Sequence, residues 1–213
     1  MALDKLIDSW SSFSRDAASA FLKTQGSPSA NSKRILVDVL KSFSASKPIS
    51  ILDLGCGNAH LFPYFKEQGL DCEYFGIDFS QPLLEAAQES NRNDPHAHFI
   101  QDDVNELGKI EGQYDVAIYS HVIEMMSSPE QSLLRARQLA RRIVIRFFEP
   151  PDFDCDSVEL REMDVGGDGT QAPYIRRKMS RDYYRMVLSK MGCTQVDIYR
   201  DHTAKDQVHV LHY

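Results

Sequence analysis

The sequence predicts an α/β protein with a doubly wound, mostly parallel seven-stranded sheet and helices on both faces. Two observations carry this. From residue 49 onward, short apolar runs alternate with stretches of helical period, and the first of these runs ends in a Gly-x-Gly turn. Strand, helix and strand in succession imply right-handed crossovers and a parallel sheet.

The runs are 49–54, 73–78, 97–100, 114–119 and 143–148, with two closing runs near 194–200 and 206–212. Helices are expected near 59–68, 81–91, 128–141 and 180–191. Asp201-His202-Thr203-Ala204-Lys205 reads as a hairpin-like turn, which makes the sheet antiparallel at that edge. Before residue 48, Leu3, Leu6, Ile7, Trp10, Phe13, Ala17 and Phe21 recur at helical spacing. Gln25-Gly26-Ser27-Pro28-Ser29 is a linker, and Asn31 or Ser32 can cap a second helix carrying Leu36, Val39, Leu40 and Phe43. Residues 150–173, with Pro150-Pro151 and Gly166-Gly167-Asp168-Gly169, are expected to form a long functional loop or lid.

The 213 residues suffice for one domain with a full core. With 42% hydrophobic and 26% charged residues, wholesale disorder is not expected. A net charge of −7 disfavours non-specific nucleic-acid binding, which needs a basic face. The 4 cysteines form no Cys-x-x-Cys pair and have no zinc-ligand spacing, so no metal is expected. Scattered cysteines suit a reducing compartment. Asp4, Lys5, Asp8, Arg15 and Asp16 interrupt the opening segment, so neither a signal-peptide core nor a membrane span is expected there, and a cytoplasmic location is the default.

Ile51-Leu52-Asp53-Leu54-Gly55-Cys56-Gly57-Asn58 reads as a buried strand running into a tight turn and then a helix. Glycines there let the backbone turn sharply and let a ligand approach. In an open parallel sheet this turn lies at the carboxyl edge, where ligands bind. Asp78 ends the next strand, 23 residues after Gly55, where a carboxylate can accept hydrogen bonds from both ribose hydroxyls of an adenosine. The same carboxylate can also cap the helix that begins before Pro82. A dinucleotide fingerprint asks for glycine or alanine where His60 stands, and Asp53 beside the turn would repel a phosphate. Both features favour a ligand without a diphosphate.

These residues resemble motif I of the class I, Rossmann-like, S-adenosylmethionine-dependent methyltransferases, with Ala59 in place of the motif's third glycine. The resemblance runs fairly continuously over residues 49–200. It implies S-adenosyl-L-methionine as cofactor, held by Asp53, Gly55, Gly57 and Asn58 at the turn and by Asp78 and Phe79 after the second strand. After the third strand it implies Asp103, with Asp102 as the alternative, for the adenine amino group and the Val104 backbone for a ring nitrogen; Ser120 follows the fourth strand. One methyltransferase domain is expected over 1–213, divided into an N-terminal helical cap (1–47), a cofactor-binding core (48–148), and a lid loop with the C-terminal sheet (149–213).

His121 stands where methyl group and acceptor should meet, and an imidazole titrates near neutrality, so it is a candidate general base; a structural or solvated histidine is the alternative. Glu149, ending the fifth strand, is a second catalytic candidate, and Glu124 and Tyr174 are further ones. Trp10 and Phe13 either pack in a core or close over the cofactor. Arg176-Arg177-Lys178 either hold an anionic acceptor or guard a strand edge, while Arg135, Arg137, Arg141 and Arg142 read as a solvated face.

The implied activity is methyl transfer to a small molecule, at oxygen or nitrogen, by a monomer or homodimer without membrane or nucleic-acid partners. The alternatives are a non-catalytic partner subunit of the same fold and a nucleic-acid methyltransferase. Against the latter, Ser120-His121-Val122-Ile123 stands where base-amino methyltransferases carry Asn/Asp-Pro-Pro-Tyr/Phe.

Overall fold

The computed structural model describes residues 10–14, 16–18, 31–44, 48–166 and 168–213. Its centre is a seven-stranded sheet. The strands are β1 (Ile49–Leu54), β2 (Cys72–Asp78), β3 (Ala97–Gln101), β4 (Val116–Ser120), β5 (Ile143–Phe147), β8 (Gln195–Arg200) and β9 (Gln207–His212), in the order β3-β2-β1-β4-β5-β9-β8. All neighbours pair in parallel except β9, which runs antiparallel to both β5 and β8. The α/β, mostly parallel architecture is therefore as the alternation predicts. The central strands are apolar on both faces because helices cover both: every residue of β5 is buried, and five of the six in β1.

On one face, α1 (Asn31–Phe43), α2 (Leu61–Glu67) and α3 (Gln81–Asn91) bury Leu36, Leu40, Phe62, Phe65, Leu84 and Ala87 against the sheet. On the other, α4 (Glu130–Leu139) and α5 (Arg181–Lys190) bury Leu133, Ala136, Leu139, Tyr184 and Val187. Removing each such leucine, valine or phenylalanine side chain from water stabilises the fold by about 1.5–3 kcal/mol before entropic costs.

Three expectations need correction. The 150–173 segment is not a structureless loop. It contains β6 (Ser157–Asp164), which pairs antiparallel with β7 (Gln171–Lys178) as a separate two-stranded sheet. The Val165 N–H donates to the Thr170 carbonyl at 2.9 Å where the chain turns between the two strands. Second, Asn31 and Ser32 lie inside α1 and do not cap it with their side chains. Asp201, in the β8–β9 turn, accepts the Ser32 backbone N–H at 2.9 Å and so serves that helix end. Third, the helix expected over 2–24 falls mostly outside the described residues, within which Trp10–Ser12 form a 3₁₀ turn and 16–18 are helical. The 25–29 linker lies outside the described residues entirely.

The described N-terminal piece ties two elements together. Phe13, Ala17 and Ala18 share a small core with Leu83 of α3 and Val165 of the hairpin. Ser14 N–H donates to the Val165 carbonyl at 2.9 Å.

Candidate active site

Successive strand–helix turns place their first residues at the carboxyl edge of the sheet. At the point where the strand order reverses, between β1 and β4, a cavity of about 300 Å³ opens.

Its β1 wall is the turn itself. The N–H groups of Gly55 and Cys56 both reach the Ile77 carbonyl of β2, at 2.8 and 3.0 Å, which folds the chain back over the neighbouring strand. Gly55 has φ +76°, and a Cβ on it would lie 2.1 Å from Val122 Cγ2. Gly57 has φ +55°, and a Cβ there would meet nothing within 4 Å. The first glycine thus permits close packing, and the second leaves open space above the backbone. Ala59 keeps the left-handed conformation of the glycine it replaces, at φ +56°.

Asp78, at the end of β2, is 6% exposed. Its Oδ2 accepts the Gly57 N–H at 2.8 Å and its Oδ1 accepts the Ser80 N–H at 2.9 Å. Asp78 is not the helix cap, since Ser80 holds that position; its carboxylate instead ties the motif turn to the residue before α3 and lines the cavity. Phe79, Leu83 and Val104 supply apolar walls beside it, and Asp103 faces the same space. Asn58 is fully buried, donates weakly to the Ala18 carbonyl at 3.4 Å, and leaves its Oδ1 without a partner.

Other expected site residues are not brought to the cavity. Asp102 instead organises the loop after β3, accepting the Asp103 N–H at 2.9 Å and the Lys109 N–H at 2.8 Å. Asp53 is buried behind the turn, where Tyr74 donates its hydroxyl at 2.5 Å. Burial pushes the Asp53 carboxyl up to about 7, against the pull of the Tyr74 hydrogen bond. Glu149 is also absent from the cavity wall, because Arg176 binds its carboxylate at 2.9 Å. Arg176 also lies over the Phe148 ring, 3.4 Å from its centroid. Arg177 pairs with Asp156 and Lys178 with Glu159, so the basic triplet is matched by acids rather than left free for an anion.

Glu124 is buried, with its carboxyl pushed up to about 7 by burial. Its Oε1 accepts the Phe148 N–H at 2.8 Å, so it shapes the segment after β5 without lining the cavity. Trp10 does line it. Its ring stacks on Phe13 at 5.9 Å and meets Tyr174 edge-on at 6.3 Å. The expected basic face on and after α4 is mixed: Arg141 is exposed beside Asp115, while Arg137 and Arg142 lie over the Tyr213 and Phe43 rings.

On the β4–β5 side, Ser120 and His121 line the cavity together with Val122, Met125 and Phe148. Here the structure adds residues the sequence did not single out. Arg146 of β5 is 3% exposed and reaches the cavity wall, donating to Ser120 Oγ at 3.0 Å. His60 also lines the cavity with a buried, unpartnered Nε2, and burial lowers it to about 3, so it stays neutral. A signal for Arg146 existed: it is the one charge inside an otherwise apolar run, which a buried strand tolerates only when the charge is paired.

Among the described residues lining the cavity, Arg146 is the single Lys or Arg, and the glycine turn is flanked by the carboxylates of Asp78 and Asp103. A diphosphate would meet acids where it needs cations. A nucleoside carrying no phosphate suits the site: two carboxylates can accept hydroxyl and amino donors, and the buried Asn58 oxygen offers one more acceptor.

The family pattern described as "Methyltransferase domain" matches residues 51–142. This segment is similar to the methyltransferase-domain family. The match ends before Arg146, so it spans the β1–β4 half of the site. Among curated relatives, the chain is 28% identical over 177 residues to the trans-aconitate 2-methyltransferase of Yersinia pestis, covering 80% of this chain and 67% of that protein. It is 25% identical over 105 residues to the malonyl-[acyl-carrier protein] O-methyltransferase of Halalkalibacterium halodurans, covering 48% of this chain. The match spans 39% of that relative's length, and for a 37.1 kDa transposon protein of Streptomyces fradiae 38%. Streptomyces venezuelae DesVI has the same fold, with a TM-score of 0.66 at 14% identity over 92% of this chain and 96% of that one. The resemblance noted in the sequence is thus matched by the methyltransferase-domain pattern over 51–142 and by the fold.

Proposed function

We propose that the chain is an S-adenosylmethionine-dependent methyltransferase acting on a small molecule, at oxygen or nitrogen. One observation carries this reading: three adjacent strand ends bring Gly55 to Asn58, Asp78 and Asp103 onto a single cavity. In it, Asp78 accepts the ribose hydroxyls, and Phe79, Leu83 and Val104 flank the base. Asp103 accepts the adenine amino group, while the open space over Gly57 and the Asn58 oxygen take the amino-acid end.

When bound, S-adenosylmethionine supplies a methyl group already activated on a sulfonium. The chain contributes alignment and a dry site. Residues 48–148 form the cofactor-binding core, and its 121–148 portion, with the 1–47 cap and the 149–213 region, shapes the acceptor side. There Met125, Phe148 and Ile175 present apolar surface, and methionine adapts to varied shapes. The net charge of −7 and the scarcity of cations at the cavity favour a small acceptor over a nucleic acid. Among the described residues, no helix is long and apolar enough to cross a membrane.

Calorimetric titration tests the reading. S-adenosylmethionine and S-adenosylhomocysteine are expected to bind and NAD to give no heat. Binding of NAD, with neither of the other two, would overturn it.

A further inference from the structure

His121 is held by an ion-paired network assembled from four distant segments. Its Nε2 lies 3.1 Å from Asp206 Oδ2, just before β9. The same oxygen accepts the Ser32 hydroxyl of α1 at 2.7 Å and Arg146 Nη2 at 3.3 Å. Arg146 closes the ring by donating Nε to Ser32 Oγ at 2.9 Å. His121 itself has φ +60°, an uncommon conformation for a residue with a Cβ, and its N–H donates to the Arg146 carbonyl at 2.9 Å. The Phe148 ring stands edge-on to the imidazole at 5.1 Å.

The chemistry of these partners selects a tautomer. Burial raises the Asp206 carboxyl, but hydrogen bonds from His121 and Ser32 and the Arg146 charge outweigh that and hold it below its usual value. An ionised carboxylate can only accept, so Nε2 must carry the proton. Burial, with Arg146 and Lys33 against the pull of Asp206, lowers His121 below 6.5, so the ring is neutral near pH 7. His60, the other titratable neighbour, is neutral too. Nδ1 is then left as an unprotonated lone pair on a residue that lines the cavity.

Resting on the methyltransferase reading, the geometry points to Asp206 as a positioning residue that presents His121 Nδ1 as the proton acceptor for a hydroxyl on a small, neutral acceptor. A carboxylate acceptor needs no base, and it would add negative charge beside Asp206, where the one cationic liner is already paired. An ammonium must lose its proton before it can attack, which a histidine lowered by burial does poorly. A hydroxyl loses its proton as the new bond forms. The acceptor oxygen gains the methyl group, the electron pair of the broken C–S bond stays on sulfur, and the hydroxyl proton passes to Nδ1.

The test reads His121 directly, by long-range ¹H–¹⁵N spectroscopy of the full chain, with the resonance assigned through His121→Gln. At pH 7.5 a neutral Nε2–H ring is expected, retained in Asp206→Glu and mixed with the Nδ1–H form in Asp206→Asn. With the protein saturated in S-adenosylhomocysteine, phenol is expected to shift the Nδ1 resonance and benzoate is not. An Nδ1–H or imidazolium ring in the unaltered protein overturns the proposal, as does a shift with benzoate alone or with neither probe. If Asp206→Asn does not fold, the unaltered protein and Asp206→Glu still decide. Calorimetry with S-adenosylhomocysteine runs alongside: failure of the unaltered protein to bind it would break the cofactor reading instead.

Discussion

On the β1–β3 side of the cavity, the binding surface is made of consecutive turns. Gly55, Gly57 and Asp78 are fixed by bonds between backbone groups and one carboxylate, all within a few residues of strand ends. On the β4–β5 side, the surface is made of side chains from far-apart segments: His121, Arg146, Phe148 and Ile175 line it, with Ser32 and Asp206 behind. The first kind of surface is set by the fold and varies little in what it can hold. The second is set by which side chains the loops deliver, and so decides the acceptor.

The sharpest way to break this division is Asp78→Asn. Hydrogen bonds to a charged group contribute roughly 1.5–3 kcal/mol. Losing them should weaken S-adenosylhomocysteine binding about 100-fold by calorimetry, and unchanged affinity would place the nucleoside elsewhere. Next comes Gly55→Ala. Its Cβ would lie 2.1 Å from Val122 Cγ2 at φ +76°, so overpacking and a left-handed backbone should together cost roughly 3 kcal/mol in denaturant unfolding. Val122→Ala in the same chain should recover part of that loss. No recovery would mean that the two sides of the cavity do not touch through this contact.

Asp53→Asn sharpens the picture behind the turn. The folded-state carboxyl titrates near 7 and the unfolded one near ~3.9. The native state therefore holds a proton that the unfolded chain releases between those values. The contribution of Asp53 to stability is full below pH ~4 and is lost as pH rises toward 7, by at most ~1.4 kcal/mol per unit. Asn removes that slope, so the variant should gain on the parent between pH 5 and pH 8 in matched urea titrations. An unchanged difference would show Asp53 ionised in the fold. The smallest effect is expected from Trp10→Ala, which should weaken S-adenosylhomocysteine binding by no more than about threefold by calorimetry, since Trp10 lines the cavity beside Ser80 and Leu83 with ring surface rather than a charged group.

What could be read from the sequence follows the same division. The alternation of buried strands and amphipathic helices, the glycine turn and the acid one strand over are local patterns, and local patterns survive without coordinates. The resemblance favours Asp103 over Asp102, but adjacent residues differ in which way the loop turns them, and that is visible only in the fold: Asp103 faces the cavity and Asp102 binds its own loop. Glu149 read as an open carboxylate, since its neutralising partner Arg176 is 27 positions away. Asp206 carried no signal: a single acid in a polar turn acquires meaning only when β9 brings it under His121.

That β9 lies between β5 and β8, instead of at a margin, has a consequence for how the molecule is made. During synthesis, the β5 margin stays bare until residues 207–212 have emerged, because its neighbour in the finished sheet is translated after the β6–β7 hairpin, α5 and β8. An unpaired apolar strand margin invites pairing with the wrong chain. The nascent protein thus carries a period of vulnerability whose length is set by sixty residues of translation, and cutting the chain before 207 would leave a hole in the interior of the sheet.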